Sequence, residues 1–548
     1  MLVKFLSSLE KAFMDGGLSS TPETTKATAL KGESFSCQVA IYTNQPAVRC
    51  TTYFDIESDI KEYISVRRVR HVPVSTPVMD ADENYLRDKP GMFPDVLEPF
   101  NTEKFFYVTT GNTETFWLTV ENAPAGKHYI KARMLNANKN VAMGSADFEL
   151  EIIDAQLPEQ DIMVTNWFHF DCLATYYNTE VFSEYHWEIL ENFVKSYVKN
   201  GMNMILTPVI TPELDTAVGQ ERPTVQLVDI TLKDGKYRYG FKKLDRWVNL
   251  CLKHGIKYFE IAHLFSQWGA KAAPKVMATV DGEYKQIFGW DTCSTGPEYK
   301  RFLRSFMTAL VHHLKALGVD KQCIFHISDE PKGDDALKTY KACRRIVQSI
   351  LKDYIIMDAL SDFEFYKKGA VTTPVVCNDR MIPFLEAKIP GLWTYYCCSQ
   401  TRRVSNQFIS MPSARNRIIA TQFYKFDIAG FLQWGFNFYY SQLSQYPINP
   451  YLVNDCDGAF TAGDPFKVYP AIDGTALDSI RVVVFAEALQ DLRAMKLLES
   501  LTSREFVLNL IDEDAAKPVT FTEYPLEASY ILNLREKINL EIKKALKK

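Results

Sequence analysis

The chain has 548 residues, which predicts more than one domain. Apolar residues make up 47% and charged residues 24%, an ordinary composition for a protein with a large core. The formal net charge is −5, with acids and bases interspersed. This balance argues against a nucleic-acid partner or an anionic membrane surface, because both call for a basic face. Nor does the sequence contain a run of about 18 apolar residues that could span a membrane.

The cysteines indicate a reducing compartment. There are eleven, an odd number, and no Cys-x-x-Cys pair has metal-ligand spacing. Most lie in apolar runs, which is typical of small buried hydrophobic side chains. The first ten residues carry charges at Lys4 and Glu10 and contain no unbroken apolar core for export. We therefore expect a cytoplasmic protein, although a secreted protein whose signal has been removed would look the same.

Residues 1–155 follow a period-two pattern, in which short alternating runs are separated by turn residues. In one run, Phe35, Cys37, Val39 and Ile41 alternate with smaller or polar neighbours. Several short alternating strands at this spacing predict an N-terminal β-sandwich. No cluster of acids, histidines or cysteines stands out in this region, so we expect a structural or accessory domain.

From about residue 160 onward, apolar strands alternate with helical patterns. The eight strand candidates are Ile162–Phe170, Met204–Ile210, Tyr258–Leu264, Cys323–Ile327, Tyr354–Ala359, Pro374–Cys377, Leu392–Cys397 and Gly430–Phe436. They predict a (β/α)8 TIM-type barrel, because no glycine-rich phosphate loop follows the first strand to favour a doubly wound sheet. The overall class is multidomain β plus α/β. The predicted domains are the β-sandwich (1–155), a catalytic barrel (156–500) and a helical C-terminal tail (501–548).

In such a barrel the active site forms at the carboxyl ends of the strands. The candidate site residues there are His169, Asp171, Trp268, Asp329, Glu330, Tyr395, Trp434 and Asn437. We expect the rings of Trp268, Tyr395 and Trp434 to surround a sugar, because flat rings cover the apolar face of a pyranose. His169, Asp171 or Asn437 could bind a hydroxyl group. Packing in the barrel core is the alternative for Tyr395 and Trp434.

The adjacent carboxyl groups of Asp329 and Glu330 are the most informative feature of the chain. They end an apolar strand, where like charges raise each other's pKa. Glycoside cleavage needs one protonated and one ionised carboxyl group, which such a pair can supply. We expect Pro331 to hold Glu330 in extended geometry. In the alternative interpretation, Asp329 caps the following helix and Glu330 pairs with a surface lysine.

Other polar residues carry weaker predictions. His326 either belongs to the site or is a barrel-interior histidine that hydrogen-bonds an acid. Arg415 and Arg417 could hold an anionic substrate, but we expect them to be solvated. The acids and histidines do not have metal-ligand spacing such as His-Glu-x-x-His, so we predict no metal and no other cofactor. Hydrolysis through a serine is disfavoured because a Gly-x-Ser-x-Gly elbow is absent from the sequence.

Four segments follow one another in a specific order. They are His326–Pro331, Gly391–Cys397, Gly430–Asn437 and the helix from Ser479 to Leu492, which carries Arg481 and Glu487. In this order and spacing the chain resembles glycoside hydrolase family 123 and its relatives of unassigned function. The resemblance spans most of residues 30–500, including the order of sandwich and barrel. It implies a retaining exo-β-N-acetylgalactosaminidase that acts on an oligosaccharide or glycoconjugate.

The resemblance also implies a mechanism called substrate assistance. The sugar's own 2-acetamido oxygen attacks the anomeric carbon and gives an oxazolinium intermediate, in place of a protein nucleophile. Asp329 would orient and stabilise the acetamido group, and Glu330 would protonate the leaving oxygen and later activate water. The preference for the galacto over the gluco configuration rests on the resemblance alone.

Two other functions stay open from the sequence. A glycosidase of other sugar specificity would combine Glu330 with a distant carboxylate such as Asp171 or Asp358. A carbohydrate-binding barrel would keep the fold without turnover. The sequence leaves the natural glycan, its linkage and the oligomeric state undetermined.

Overall fold

A computed structural model of the chain describes residues 1–44 and 49–547. In chain order, the first strands are β1 (Leu2–Ser7), β2 (Lys26–Lys31), β3 (Ser34–Tyr42), β4 (Arg49–Ser58), β5 (Ile64–Val74), β6 (Gly91–Pro99), β7 (Phe106–Thr109), β8 (Thr113–Glu121), β9 (Gly126–Leu135) and β10 (Ala142–Gln156). They form two five-stranded sheets, with the strand orders β1-β3-β8-β5-β6 and β2-β10-β9-β4-β7.

The two sheets share one hydrophobic core. Phe5, Val39 and Phe116 of the first sheet are buried in the same cluster as Phe54 and Ile130 of the second. The rings of Phe54 and Phe116 stack with their centroids 4.7 Å apart. The period-two pattern explains this arrangement, because alternate side chains of a strand point to the same face of its sheet.

The remainder of the chain alternates strands and helices. The elements are β11 (Met163–Asn166), α1 (Phe170–Tyr176), α2 (Glu184–Lys199), β12 (Met204–Thr207), β13 (Asp229–Lys233), β14 (Lys236–Gly240), α3 (Lys242–Lys253), β15 (Tyr258–Ile261), β16 (Val276–Val280), β17 (Glu283–Phe288), α4 (Pro297–Ala316), β18 (Cys323–Phe325), α5 (Gly333–Val347), β19 (Met357–Ala359), α6 (Phe363–Lys367), β20 (Thr373–Cys377), α7 (Ile382–Glu386), β21 (Trp393–Tyr395), α8 (Ser413–Arg417), α9 (Ile419–Lys425), β22 (Gly430–Gln433), β23 (Val468–Pro470), β24 (Ala476–Asp478), α10 (Ile480–Leu501), α11 (Arg504–Glu513) and α12 (Ala528–Ala545).

Eight parallel strands form a nearly closed barrel in the order β18-β15-β12-β11-β22-β21-β20-β19. The end strands β18 and β19 approach each other at a parallel bridge between Phe325 and Ile356. There the backbone N–H of Phe325 donates to the carbonyl of Ile355 over 3.0 Å. Because all eight strands run in one direction, the loops after their carboxyl ends converge on one face of the barrel.

Each of the eight predicted barrel strands coincides with a strand of the structure, but seven of the predicted ranges are too long, and Pro374–Cys377 omits the first residue of β20. The first predicted strand, Ile162–Phe170, ends at Asn166, and α1 begins at Phe170. A further four-stranded sheet, β14-β13-β16-β17, was not predicted. Its strands lie in the connections that follow β12 and β15, and their exposed charged residues weaken the apolar signal.

The C-terminal helices pack against the rest of the molecule. α10 contacts α8, α9 and α12, and α12 also contacts β2 and β10 of the second sheet. The apolar side chains of Ile531, Leu534 and Ile538 on α12 are buried there. Within residues 1–44 and 49–547, none of the helices is both long and apolar enough to cross a membrane.

Candidate active site

A pocket of about 780 Å³, measured out to its open mouth, lies at the carboxyl ends of the barrel strands. Five predicted site residues line it: Trp268, Asp329, Glu330, Tyr395 and Trp434. The other lining residues are Trp167, Leu214, Asp215, Gln267, Ala359, Cys397, Cys398, Leu432, Gln442, Leu443 and Phe460. The barrel therefore brings together residues from the ends of seven strands: β11, β12, β15, β18, β19, β21 and β22.

Strand β19 holds the segment that follows β18. The carboxylate of Asp358 accepts hydrogen bonds from the backbone N–H groups of Ile327 (3.0 Å) and Ser328 (3.2 Å). The carbonyl of Ala359 accepts a third from the N–H of Glu330 (3.0 Å). These bonds satisfy backbone donors that the short strand β18 leaves without ladder partners. They also fix the backbone that carries the two adjacent carboxyl groups.

The loop after β15 supports the same segment. The hydroxyl of Ser328 donates to the carbonyl of Ser266 (2.8 Å) and accepts from the N–H of Ala270 (3.1 Å). The N–H of Trp268 donates to the carbonyl of Asp329 (2.8 Å). The side chain of Trp268 is left at the pocket, where this residue is 48% exposed. Its position is therefore coupled to the backbone of Asp329.

The carboxyl group of Asp329 is buried and incompletely bonded. Asp329 is 9% exposed, and its Oδ1 has no hydrogen-bond partner within the described residues. Burial raises the pKa of Asp329 well above its usual value, and the charges of Glu330 and Asp358 raise it further. Burial and the neighbouring charges thus favour the protonated form of an acid that lines the pocket.

Glu330 has a different setting. The hydroxyl of Tyr395 donates to its Oε1 over 2.6 Å. The prediction that Pro331 holds Glu330 in extended geometry is wrong, because Glu330 has a φ of +40°. This conformation is unusual for a residue with a side chain, and such strain concentrates at functional sites. The bonds to Ala359 and Tyr395 hold Glu330 in it.

His326 is fully buried between two carboxylates inside the barrel. Its Nε2 lies 2.8 Å from Oε1 of Glu260, and its Nδ1 lies 3.1 Å from Oδ1 of Asp358. Burial lowers the pKa of His326, but the hydrogen bonds to the two carboxylates outweigh it and raise the pKa to about 10. The interpretation as a barrel-interior histidine bonded to an acid is confirmed. Glu260 also accepts from the indole N–H of Trp167 (2.7 Å), which fixes one wall of the pocket.

Three predicted ligands lie outside the pocket lining. The guanidinium of Arg222 donates to both carboxylate oxygens of Asp171 (2.7 Å each) and lies 3.2 Å from Nδ1 of His169. Asn437 is fully buried and exchanges two 2.9 Å hydrogen bonds with the backbone of His169. The predicted first strand was too long, so His169 and Asp171 are found at the start of α1 and not at the end of a strand.

Asp215 is a pocket carboxylate that the sequence analysis missed. The N–H of Leu443 donates to its Oδ2 (3.0 Å), and its own N–H donates to the side-chain oxygen of Gln267 (2.8 Å). Burial raises the pKa of Asp215 to about 6. Asp215 follows β12, so the rule that sites form after barrel strands would have found it if the second strand end had been included.

Trp434 is oriented by a hydrogen bond and by a second ring. Its indole N–H donates to Oδ2 of Asp464 (2.9 Å), and its ring packs edge-on against Phe438 with centroids 4.9 Å apart. Burial raises the pKa of Asp464 to about 7. The indole of Trp434 is therefore held in one orientation, and part of it remains exposed to the pocket.

Among residues 1–44 and 49–547, two buried clusters have ligand atoms within 4.8 Å of one another, as a metal site requires: His263 with His326 and Asp358, and His169 with Asp171 and Cys172. In the first cluster, both ring nitrogens of His326 are bonded to carboxylates. In the second, the guanidinium of Arg222 pairs with Asp171. In each cluster at least one candidate ligand is therefore already engaged: both ring nitrogens of His326 in the first and the carboxylate of Asp171 in the second.

The family model described as the catalytic domain of glycoside hydrolase 123 matches residues 167–498. The chain belongs to glycoside hydrolase family 123. The matched region of this family 123 protein starts just after β11 and includes every residue that lines the pocket. Its membership makes the chain a glycoside hydrolase.

One solved structure extends the likeness of this family 123 protein beyond the barrel. A family 123 glycoside hydrolase from Clostridium perfringens, studied for glycolipid glycan hydrolysis, has a TM-score of 0.73 at 14% identity and covers 100% of this chain and 98% of its own. A family 39 glycoside hydrolase from Bacteroides cellulosilyticus has a TM-score of 0.33 at 9% identity, over 88% of this chain and 82% of its own. None of the curated proteins compared with the chain matches it.

Proposed function

We propose that this family 123 protein is a retaining exo-acting hydrolase that releases terminal β-linked N-acetylgalactosamine. The 2-acetamido oxygen of the substrate attacks the anomeric carbon, and an oxazolinium ion is the intermediate. In the same proposal, the two N-terminal sheets are a β-sandwich and the barrel is of the (β/α)8 TIM type. The Clostridium perfringens protein was studied for glycolipid glycan hydrolysis, which supports a glycan as the substrate.

The observation that carries this proposal is the unequal setting of two adjacent carboxyl groups at one pocket. Asp329 is buried, with an unbonded Oδ1, whereas Glu330 lies beside it with Oε1 bonded to Tyr395. A buried oxygen without a partner is costly unless a ligand bonds it. The acetamide N–H of the substrate is a donor of the right kind for Asp329, and Glu330 is then left for the glycosidic oxygen.

One proton shared by the pair suits both steps of the reaction. In the free protein, burial and neighbouring charge raise the pKa of Asp329, which favours its protonated form. An acetamide N–H that donates to Asp329 stabilises its ionised form, and the resulting charge favours the proton on Glu330. Glu330 gives this proton to the leaving oxygen as the C–O bond breaks. Its carboxylate then takes a proton from the water that opens the oxazolinium ion.

A mechanism with two protein carboxylates is the second candidate, because Asp215 also lines the pocket. The carboxylates first considered for it have other partners. Asp171 pairs with Arg222, and Asp358 accepts bonds from His326 and Tyr340. An enzyme of this second type would use Asp215 as nucleophile or base with Glu330, would cleave sugars without an acetamido group, and would resist a thiazoline inhibitor that mimics the oxazoline.

The first test compares the hydrolysis of three aryl substrates: the β-N-acetylgalactosaminide, its gluco epimer and the plain β-galactoside. We expect turnover of acetamido sugars only, with the galacto epimer preferred. Asp329→Asn should lower this turnover by about 10²–10³-fold, the loss seen when a charge-stabilising group is removed. Asp215→Asn is the matched variant for a pocket carboxylate outside the pair and should retain thiazoline inhibition.

The possible results separate the candidates. Hydrolysis of the plain galactoside, abolished by Asp215→Asn and insensitive to thiazoline, would establish the two-carboxylate mechanism. Sugar binding without hydrolysis of any substrate would indicate a binding protein. A loss of less than tenfold in Asp329→Asn would contradict the role of Asp329 toward the acetamide.

A further inference from the structure

Three aromatic rings cluster on the outer face of the second N-terminal sheet. Phe54 on β4 and Phe106 on β7 are buried in the core that the two sheets share. The adjacent residues Tyr53 and Tyr107 therefore point to the opposite face. Phe105 precedes β7 and stands between them, with its ring edge-on to that of Tyr53 at 6.3 Å and to that of Tyr107 at 5.5 Å. Phe105 is 50% exposed and Tyr107 is 40% exposed, so these three rings form an outer aromatic cluster open to solvent.

Each end of the outer aromatic cluster carries a cation. The guanidinium of Arg49 lies over the ring of Tyr107, 4.4 Å from its centroid, and the ammonium of Lys139 lies over the ring of Tyr53 at 4.2 Å. Arg49 and Lys139 are both exposed, and within residues 1–44 and 49–547 neither has a carboxylate partner. A guanidinium stacked on a ring keeps the N–H groups at its edge free for an acceptor. The cluster thus presents the exposed ring of Phe105 between two unpaired positive charges.

The other charges beside the cluster balance one another. Asp55, two residues after Tyr53 on the same face of β4, pairs with Arg133 of β9 over 2.6 Å. Glu103 and Lys104, which precede the exposed ring in the chain, are both exposed and have opposite charges. The surplus of charge at the outer aromatic cluster is therefore positive, and it comes from the two cations at its ends.

We propose that the outer aromatic cluster is a second carbohydrate-binding site, for an acidic glycan in which carboxylate-bearing sugars flank a neutral one. The apolar face of the neutral pyranose stacks on Phe105. Arg49 and Lys139 form charge-assisted hydrogen bonds with the carboxylates of the sugars on either side. None of the cluster residues lines the pocket at Glu330, so this site is separate from the reaction there and goes beyond the proposed function.

The size of the cluster favours a glycan over a protein partner. Exposed apolar patches mark sites of interaction, but a stable protein interface covers about 800 Å² on each partner. Beyond the three rings, the same outer face presents the paired charges of Asp55 and Arg133. An extended glycan needs only the rings and the two cations. The chain is also a glycoside hydrolase, so a glycan is the class of molecule that it meets.

The test uses an unsulfated chondroitin hexasaccharide with a uronate at its non-reducing end. Its acidic and uncharged sugars alternate, as the order of cation, ring and cation requires. Its terminal uronate keeps it out of an exo-acting site for N-acetylgalactosamine. In calorimetric titrations of the parent protein, reduction of the carboxyl groups of the hexasaccharide to hydroxymethyl groups should raise the Kd at least tenfold, because hydrogen bonds to charged groups are lost. Added salt should also raise the Kd of the acidic form.

Variants locate the binding on the outer face. Phe105→Ala should raise the Kd of the hexasaccharide about tenfold, because the stacking surface is lost. It should leave the Tm and the turnover of the aryl β-N-acetylgalactosaminide unchanged. Arg49→Ala and Lys139→Ala should each reduce the preference for the acidic over the reduced hexasaccharide. Tyr129→Ala removes a ring that is 64% exposed on β9, outside the cluster, and is the control that should bind as the parent does.

The outcomes separate this site from the proposed function. Binding that Phe105→Ala weakens, in a protein that hydrolyses no aryl substrate, would support the site and overturn the proposed function. Equal affinities for the acidic and the reduced hexasaccharide, or a Kd that Phe105→Ala leaves unchanged, would overturn the site. A dimer in sedimentation that Phe105→Ala converts to a monomer would also overturn it, because the cluster would then be a contact between copies of this chain.

Discussion

At the scale of single residues, Glu330 combines a strained backbone with one fixed carboxylate oxygen. Its φ is +40°, and Tyr395 donates to Oε1 over 2.6 Å. A side chain held in this way loses little freedom when it meets the substrate. The described hydrogen bonds leave its other oxygen, Oε2, available for the glycosidic oxygen.

Glu330→Gln should separate substrates by their need for a proton. For aryl N-acetylgalactosaminides with poor leaving groups, kcat/KM should fall by about 10²–10⁴-fold, the usual contribution of a general acid. Good leaving groups depart without protonation, so their kcat/KM should fall far less. A series of substituted phenyl glycosides measures this dependence. Glu364→Gln, on α6, is the control for the loss of a partly exposed acid. An equal loss across the series would contradict the acid role.

Asp329 and Glu330 could be identified from the sequence as candidate site residues. Two like charges directly after a buried apolar strand are energetically unfavourable, so their presence there indicates a function. The sequence could not reveal the φ of Glu330, since the bonds that hold it come from Ala359 and Tyr395, distant in the chain. Asn437 shows a different case. A polar residue after a strand is attractive as a ligand, and the structure places its amide in two hydrogen bonds with the backbone of His169.

At the scale of elements, the bridge between β18 and β19 depends on buried charge. The carboxylate of Asp358 forms hydrogen bonds both with the backbone N–H of Ile327, just after β18, and with the imidazole of His326. His326 in turn neutralises Glu260 on β15. Three neighbouring barrel strands are thereby tied together beside Asp329 and Glu330.

His326→Gln should destabilise the protein because it leaves two buried carboxylates without a cation. We expect the free energy of unfolding to fall by about 3–5 kcal/mol. The folded pKa of His326, about 10, lies above the value near 6.5 of an unfolded histidine. Its stabilisation is therefore complete below about pH 6.5 and is lost as the pH rises through about 10.

Thermal unfolding between pH 6.5 and 10 measures this contribution. The Tm of the parent protein should fall across that window, and the fall should be smaller in His326→Gln. His312→Gln changes an exposed histidine on α4 and should leave both the Tm and its slope unchanged. A variant whose Tm falls with pH as steeply as that of the parent would show that His326 is neutral in the folded protein.

The elements themselves were largely predictable. Apolar runs identified all eight barrel strands, because strands buried on both faces are continuously hydrophobic. The ends of these strands were not predictable from the sequence, as β11 shows. Trp167 and Phe168 continue its apolar run, but the strand stops at Asn166, so His169 and Asp171 are found at the start of α1. Hydrophobic periodicity cannot locate the end of a strand when the residues before and after that end are all buried.

At the scale of the whole molecule, buried ion pairs join the three parts of the chain. Arg417 on α8 pairs with Glu487 (2.8 Å) and Asp491 (2.7 Å) on α10. Asp491 also binds Arg535 of α12 (2.7 Å), which reaches Glu33 between β2 and β3 (2.5 Å). The charge network therefore runs from the barrel through the C-terminal helix to the N-terminal sheets.

The expectation that Arg415 and Arg417 are solvated is wrong. Arg415 is 0% exposed and pairs with Asp82 over 2.9 Å, and Arg417 is 7% exposed. Asp82 lies more than 300 residues earlier in the chain, within the N-terminal region. Local sequence cannot indicate such a partner, and an arginine on a short helix is usually exposed.

Arg417→Ala should test whether the parts unfold together. It removes the cation between Glu487 and Asp491, so the free energy of unfolding should fall by about 3–5 kcal/mol. Because the network reaches Arg535 and Glu33, we expect one calorimetric transition that moves as a whole to lower temperature. Arg403→Ala removes an arginine whose side chain is 71% exposed, so it should lower the free energy of unfolding by less than about 1 kcal/mol. A second transition in the parent protein that Arg417→Ala leaves in place would mean that the N-terminal sheets unfold independently. In that case the ion pairs would connect the N-terminal sheets to the rest of the molecule without making the two unfold together.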